Sequence, residues 1–277
     1  MRQSLKHFAV FLAWNIAISV ILLFSVRPSV SDVYAGAGLA MMLVVALGVI
    51  YIYLLRKGFT DERKRAVELR LTPLRGSALK WTLIAAPVLL LFSWSFGEVY
   101  IRLVPVPAEA LDPYSQIFVN PRGRLMLAIL AVGLAPLLEE LFFRGLIQRS
   151  LERKWGIAGG IVAASALFAL VHFMPWIFPL HFLLGAVFGF VVVATRSIWS
   201  GVLLHAANNT AALVGHGLEQ GEMPIVRTVW DAGPDLDFGL SVALLLGSLV
   251  VGIWVAGRLW KSGRDVLVPA PSEGVAP

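Results

Sequence analysis

Residues 125–147 read LMLAILAVGLAPLLEELFFRGLI, an apolar run whose only charges are Glu139, Glu140 and Arg144. A run of this length matches the roughly 30 Å hydrocarbon thickness of a bilayer at about 1.5 Å of rise per helical residue. Its charges are the anomaly. A charged side chain at mid-helix costs about 2.5–3.5 kcal/mol even on the lenient insertion scale, so each must be paired or put to use. The stretch therefore predicts a membrane-spanning helix that carries a buried polar site.

The apolar pattern recurs along the chain. Of 277 residues, 58% are hydrophobic and 14% charged, against roughly 25% charged in soluble domains. Candidate spans fall at about 8–26, 33–55, 79–97, 125–147, 157–174, 178–195, 198–214 and 238–257. They predict an all-α polytopic membrane protein with about eight transmembrane helices. The run that begins at Phe8 has no evident cleavage site and is read as a retained first helix. Residues 1–265 form one helical membrane domain in this reading, with a motif-bearing core at 125–215. The Pro-, Gly- and Ala-rich residues 266–277 are a disordered tail.

Charge sets the orientation. Between the second and third spans, Arg56, Lys57, Arg63, Lys64, Arg65, Arg70, Arg75 and Lys80 outnumber Asp61, Glu62 and Glu68, which assigns this connection to the cytoplasm. Alternation then puts both termini inside, with Arg149, Arg153, Lys154 and Arg196 on the same side. Residues 98–124 and the acidic 215–237 face outward. Within 56–80, Val67, Leu69, Leu71 and Leu74 alternate with charges, which predicts a basic amphipathic helix at the lipid interface, with a solvated loop as the alternative. The net charge of +6 sits in these loops, so it serves topology and does not indicate nucleic acid. The absence of cysteine excludes thiol nucleophiles, disulfides and thiolate metal sites.

Three polar clusters require an explanation. In Glu139-Glu140-Leu141-Phe142-Phe143-Arg144, Glu140 and Arg144 share a helix face and can pair, while Glu139 is turned about 100° away. One carboxylate is then structural and the other free to act. In Phe168-Ala169-Leu170-Val171-His172, Phe168 lies one turn before His172 and flanks it. In His205-Ala206-Ala207-Asn208-Asn209, His205 and Asn209 share a face with small residues between them, which permits close helix approach. Taken singly, these are equally an ion pair at a helix end, a packing histidine and interhelical hydrogen-bonding residues. Together they bring a carboxylate, two imidazoles, a carboxamide and a guanidinium onto separate helices, which is the inventory for hydrolysing an amide.

The order Glu-Glu-x-x-x-Arg, Phe-x-x-x-His, His-x-x-x-Asn on successive spans resembles the CPBP family of intramembrane proteases, which contains the CAAX prenyl endopeptidases and bacteriocin-processing or self-immunity proteins. The likeness covers roughly 125–215. It implies Glu139 as the carboxylate that activates water, His172 as a holder of that water, and His205 and Asn209 as stabilisers of the oxyanion. Glu140 and Arg144 are positioning residues. A metal is left open: zinc held by Glu139, His172 and His205 and a metal-free, glutamate-activated water both agree with the resemblance. The implied substrate is a peptide or membrane-protein segment, including a prenylated one; separately from the resemblance, a bacterial plasma membrane is the expected location. A non-proteolytic scaffold of the same fold is the competing reading, and an ion-coupled transporter a third; no internal repeat supports the latter.

Other residues rank lower. His181 lies near Pro175 and Pro179 and is a subordinate candidate for lining the site, while His7 and His216 belong to interfaces or loops. Gly185 and Gly189 read as a packing pair, and Glu98 with Arg102 as a local ion pair. One tension is visible. The span boundaries put Glu139 and His205 near the cytoplasmic side but His172 near the far end of its span, unless an irregular start at Gly156–Gly160 moves the fifth helix.

Overall fold

The computed structural model of the protein describes residues 66–106, 125, 128–172, 174–218 and 228–265, and these are helical apart from short connections. The two spans expected at 8–26 and 33–55, and the tail at 266–277, lie outside the described residues. The helices are α1 (Gly76–Leu103), π1 (Ile129–Leu134), α2 (Ala135–Glu140), π2 (Leu141–Gln148), α3 (Arg149–Leu170), α4 (Phe178–Thr195), α5 (Ile198–Leu218), α6 (Val229–Ala232) and α7 (Leu236–Asp265). Three of them, α1, α4 and α7, are long and apolar enough to cross a membrane. Much of their outer surface is apolar: Trp94, Val250 and Ile253 are more than half exposed, which suits lipid as a solvent and not water.

Packing divides into three clusters. Leu89 of α1, Leu184, Phe188 and Val191 of α4, Leu204 of α5 and Val255 of α7 tie the long helices together. Trp81 and Trp254 meet edge to face at 5.3 Å, with Arg258 over both rings. Phe142, Phe143, Ile147, Ala164 and Phe168 join the π1–α2–π2 segment to α3. Leu69, Leu141, Val192 and Ile198 form the third cluster, at the end where the chain enters from residue 66.

That entry corrects the expectation for 56–80 where it is described. Before α1 begins at Gly76, only residues 66–68 of the described part are helical, and Leu69 and Arg70 are buried in protein instead of lying at the lipid interface. Arg70 adopts the left-handed conformation (φ 56°), and its carbonyl accepts the Ile198 N–H at 2.8 Å. Thr72 Oγ1 donates to Arg196 O, and Ser197 Oγ donates to Thr72 O, both at 2.6 Å. Arg70 also pairs with Glu152 at 2.6 Å, so the basic connections around residues 70, 150 and 196 meet at one end of the bundle. At the other end, Arg102 donates to both carboxylate oxygens of Asp235 at 2.7–2.8 Å, and Trp230 Nε1 donates to Leu103 O. The charge clamp there therefore links α1 to the start of α7, and is not confined to the Glu98 turn.

Gly156 fixes the depth of the site. Its φ of 74° and ψ of 174° break α3, a region open essentially to glycine alone, and the chain reverses there. The helix that carries the carboxylates continues to Trp155, about two turns past the expected boundary at 147. Glu139 lies 17 positions before Gly156 and His172 16 after it, so the two stand at equal depth. This removes the tension in the sequence reading; the span boundary was too short.

Candidate active site

The polar residues of the site are presented by π1–α2–π2, the end of α3, the start of α4 and the middle of α5. Glu140 is fully buried and doubly engaged. Its Oε1 accepts from Arg144 Nη1 at 2.9 Å, as the four-residue spacing predicts, and from His205 Nδ1 at 3.1 Å. Arg144 Nη2 donates in turn to Gly185 O at 2.9 Å. The guanidinium carbon lies 4.6 Å from the Phe168 ring centre and 5.5 Å from that of Phe188, so aromatic faces complete its desolvated surroundings. The buried charge of Glu140 is thus neutralised next door, which is the condition for a stable intramembrane carboxylate.

Glu139 is different. Its side chain keeps about a fifth of its surface exposed (21%), and its Oε2 has no hydrogen-bond partner and lies 4.0 Å from His205 Nε2. His205 therefore stands between the two carboxylates, with Nδ1 given to Glu140 and Nε2 turned toward Glu139. Its ring stacks on Phe188 (4.8 Å, 19°) and meets the edge of Phe168 at 5.7 Å.

His172 follows the last turn of α3. Its backbone N–H bonds Ala169 O, three residues back, which leaves the Phe168 carbonyl free of the usual helical donor. The imidazole Nδ1 fills that role at 2.7 Å; a carbonyl only accepts, so Nδ1 carries the proton and Nε2 the lone pair. Phe168 also flanks the ring at 4.8 Å. Phe168 thus touches Arg144, His172 and His205 together.

Asn209 is one turn beyond His205, and its Nδ2 donates to Ala131 O at 2.7 Å. The sequence supplies the reason. In π1 the N–H groups reach five residues back, as Ala135 N–H does to Leu130 O. In that register Ala131 O would be served by residue 136, but residue 136 is proline and has no N–H. Asn209 supplies the missing donor with one of its two amide hydrogens.

Glycines let the helices approach this closely. A Cβ on Gly201 would lie 2.5 Å from Glu140 Oε2, and one on Gly189 would lie 2.6 Å from Gln148 Oε1. Gln148 Nε2 donates to Gly189 O at 3.2 Å, repeating one turn on what Arg144 does at Gly185.

The three residues that would hold a zinc, Glu139, His172 and His205, do not stand at ligand spacing. Among the described residues no three His, Asp or Glu side chains gather as metal ligands. The 4.0 Å separation of Glu139 Oε2 and His205 Nε2 exceeds the roughly 3.4 Å that tetrahedral ligands at about 2.1 Å would keep. The arrangement thus offers no preformed zinc site, and whether Glu139, His172 and His205 hold a metal stays as open as the resemblance left it.

Residues that the sequence reading missed or ranked low are His181, which stacks on His172 at 4.1 Å, together with Phe188, Gly201 and Pro136. Pro136 was the available signal: a proline within a helical run frees a carbonyl that some other element must satisfy. His7 is outside the described residues, and His216 falls in the last turn of α5.

Residues 121–211 match the family described as Rce1-like, the type II CAAX prenyl endopeptidases. The match supports a CPBP-family intramembrane protease. The matched third of the chain contains all three motifs, and with them Glu139, Glu140, Arg144, His172, His205 and Asn209. A match to that family suggests a protease that works in the membrane. No curated protein and no solved structure matches the chain.

Proposed function

We propose that this CPBP protein is an intramembrane endopeptidase that cleaves a peptide bond with a water activated by Glu139. The observation that carries the reading is the orphaned Glu139 Oε2 facing His205 Nε2 across 4.0 Å, beside a Glu140 whose Oε1 is committed to Arg144 and His205 and whose Oε2, likewise without a partner, lies against Gly201. That gap is too wide for a direct hydrogen bond and suits one bridging water with contacts of about 2.8 Å to each side.

Glu139 takes a proton from this water, and the hydroxide oxygen adds to the scissile carbonyl carbon. The carbonyl oxygen becomes the oxyanion, which accepts from an Nε2–H that His205 carries through the whole cycle, its charge balanced by the Glu140 carboxylate at Nδ1, and from the second Nδ2 hydrogen of Asn209. Preset donors of this kind contribute about 3 kcal/mol each in a dry site. Collapse breaks the C–N bond, and the proton held by Glu139 goes to the departing amine. His172 offers its Nε2 lone pair to a hydrogen of the water. Glu140 acts through His205 by accepting its Nδ1–H, and Arg144 neutralises Glu140. No step uses a metal.

The substrate in this proposal is a peptide or membrane-protein segment, with a prenylated C-terminus as the leading class. The setting is a chain of about eight spans with both termini cytoplasmic, in a bacterial plasma membrane. Cleavage of farnesylated and unmodified peptides by the detergent-solubilised protein tests the proposal, beside Glu139→Ala and His172→Ala and with and without a zinc chelator. The expected result is chelator-insensitive cleavage lost in both variants. Cleavage that survives in Glu139→Ala overturns the mechanism, and no cleavage of any peptide in any lipid favours a non-proteolytic scaffold.

A further inference from the structure

The His172 ring is held on three sides, and two of its holders come from its own motif: the Phe168 carbonyl at 2.7 Å and the Phe168 ring at 4.8 Å and 62°. The third is His181, whose ring lies parallel to it at 4.1 Å and 22°. His172 needs such support, because it stands past the last turn of α3 and its backbone is no longer fixed by a regular helix. His181 is mounted firmly in the first turn of α4, with its backbone N–H on Ile177 O at 3.1 Å. The turn through Pro175 and Pro179 folds the start of α4 back on the end of α3 and brings the two rings face to face. Nδ1 of His181 is buried and has no hydrogen-bond partner, so it is the flat face of the ring that engages its neighbour and not this nitrogen.

We propose that His181 is a positioning residue for the hydrolysis: its ring clamps the His172 imidazole so that Nε2 stays directed at the water. The inference rests on the assignment of His172 to the site. A ring free to tilt would misplace Nε2 by about 1 Å, a displacement that can cost up to about 100-fold in rate. The loss should fall on kcat, because His172 contacts the water in this scheme and does not anchor the substrate.

The test measures kcat and KM on a fluorogenic farnesylated peptide for the full chain carrying His181→Ala, His181→Phe, His172→Ala or Glu139→Ala. Thermal midpoints in the same detergent accompany each measurement. The expected result is kcat lowered at least about tenfold in His181→Ala with KM nearly unchanged, and recovery to near wild type in His181→Phe, which keeps a flat ring. A merely structural role would move the midpoint and leave kcat of the folded fraction intact. Wild-type kcat in His181→Ala, while Glu139→Ala and His172→Ala are inactive, overturns the inference alone. Equal impairment of His181→Phe and His181→Ala also overturns it. Full cleavage by Glu139→Ala and His172→Ala removes the site assignment and this inference with it. Should the peptide not be cleaved at all by the wild-type chain, the site assignment fails and this inference with it.

Discussion

A methyl group on Gly201 should damage the site from behind without touching substrate. A Cβ there would lie 2.5 Å from Glu140 Oε2, 3.1 Å from Glu140 Cδ and 2.8 Å from Val192 Cγ2. A flexible carboxylate could normally swing aside, but Oε1 of Glu140 is held by Arg144 at 2.9 Å and by His205 at 3.1 Å. Moving it lengthens both bonds. Alanine in place of glycine gains about 0.5–1 kcal/mol of helix preference, and overpacking a filled core costs about 1–3 kcal/mol. Gly201→Ala should therefore lose about 1–2 kcal/mol net, a fall of a few degrees in thermal midpoint.

Turnover should suffer more than stability, because Glu140 sets the direction of His205 Nε2; a tenfold to 100-fold loss is expected for displacements approaching 1 Å. Detergent thermal melts and peptide cleavage on the same preparations measure both effects. Gly97→Ala is the control: it lies inside α1 with nothing within 4 Å of the new methyl, and should be neutral or slightly stabilising. If Gly201→Ala melts and turns over like Gly97→Ala, the claim that Glu140 is locked between α5 and Arg144 is wrong.

Three further outcomes follow from the same geometry. Asn209→Ala should cost about 1–3 kcal/mol by leaving Ala131 O without a donor, and adding Pro136→Ala should recover part of the midpoint, since residue 136 then has an N–H to offer. Arg144→Lys should lower both midpoint and cleavage, because a lysine ammonium lacks the planar fork that reaches Glu140 and Gly185 O together; equal behaviour of the two residues would refute the fork. Asp235 is held below the usual carboxylate range, first by the Phe238 N–H and then by Arg102. A depressed folded-state value adds stability above the unfolded pKa and loses it as pH falls through the folded one. The small midpoint difference between wild type and Asp235→Asn should thus be present at neutral pH, shrink in high salt and vanish in acid; a difference that grows in acid would reverse the assignment.

Much of this was legible in the sequence, for reasons that can be traced. The starts of α4 and α5 at 178 and 198 coincide with the expected spans, because apolar runs bounded by Pro179 and by the Arg196–Ser197 turn leave little freedom. The Glu140–Arg144 pair follows from helical spacing, and the separate fate of Glu139 follows from its different direction. What stayed hidden depends on depth and register. Charges such as Arg149, Glu152 and Arg153 seemed to close a span at 147, yet the helix runs on to Trp155, because Arg70 and Glu68 reach across to pair with Glu152 and Arg153. A long-range partner of this kind leaves no local trace. The π turns on either side of α2 were equally invisible, although Pro136 marks where one of them is needed. His181 was ranked low because a lone histidine carries no spacing motif; only the turn that folds α4 back on α3 gives it a neighbour.

The polar stripe Glu140, Arg144, Gln148 and Glu152 shows how a membrane core carries such residues without losing the fold. Each stands four positions from the next, so all face one side, and each finds a partner that the local sequence alone does not provide. Glu140 takes His205, Arg144 takes Gly185 O, Gln148 takes Gly189 O and Glu152 takes Arg70. Two of the four partners are backbone carbonyls at glycines, where the missing side chain allows the donor to come close. The glycine pair in α4 is therefore both a packing surface and a hydrogen-bonding one. The last member of the stripe is paired with the entering chain at Arg70, and Gln148 Nε2 joins that pair to α4 by donating to both Glu152 Oε1 and Gly189 O. Glu139 projects off this stripe, and although Oε2 of Glu140 also lacks a hydrogen-bond partner, it lies against Gly201 of α5, whereas Oε2 of Glu139 faces His205 Nε2 across 4.0 Å.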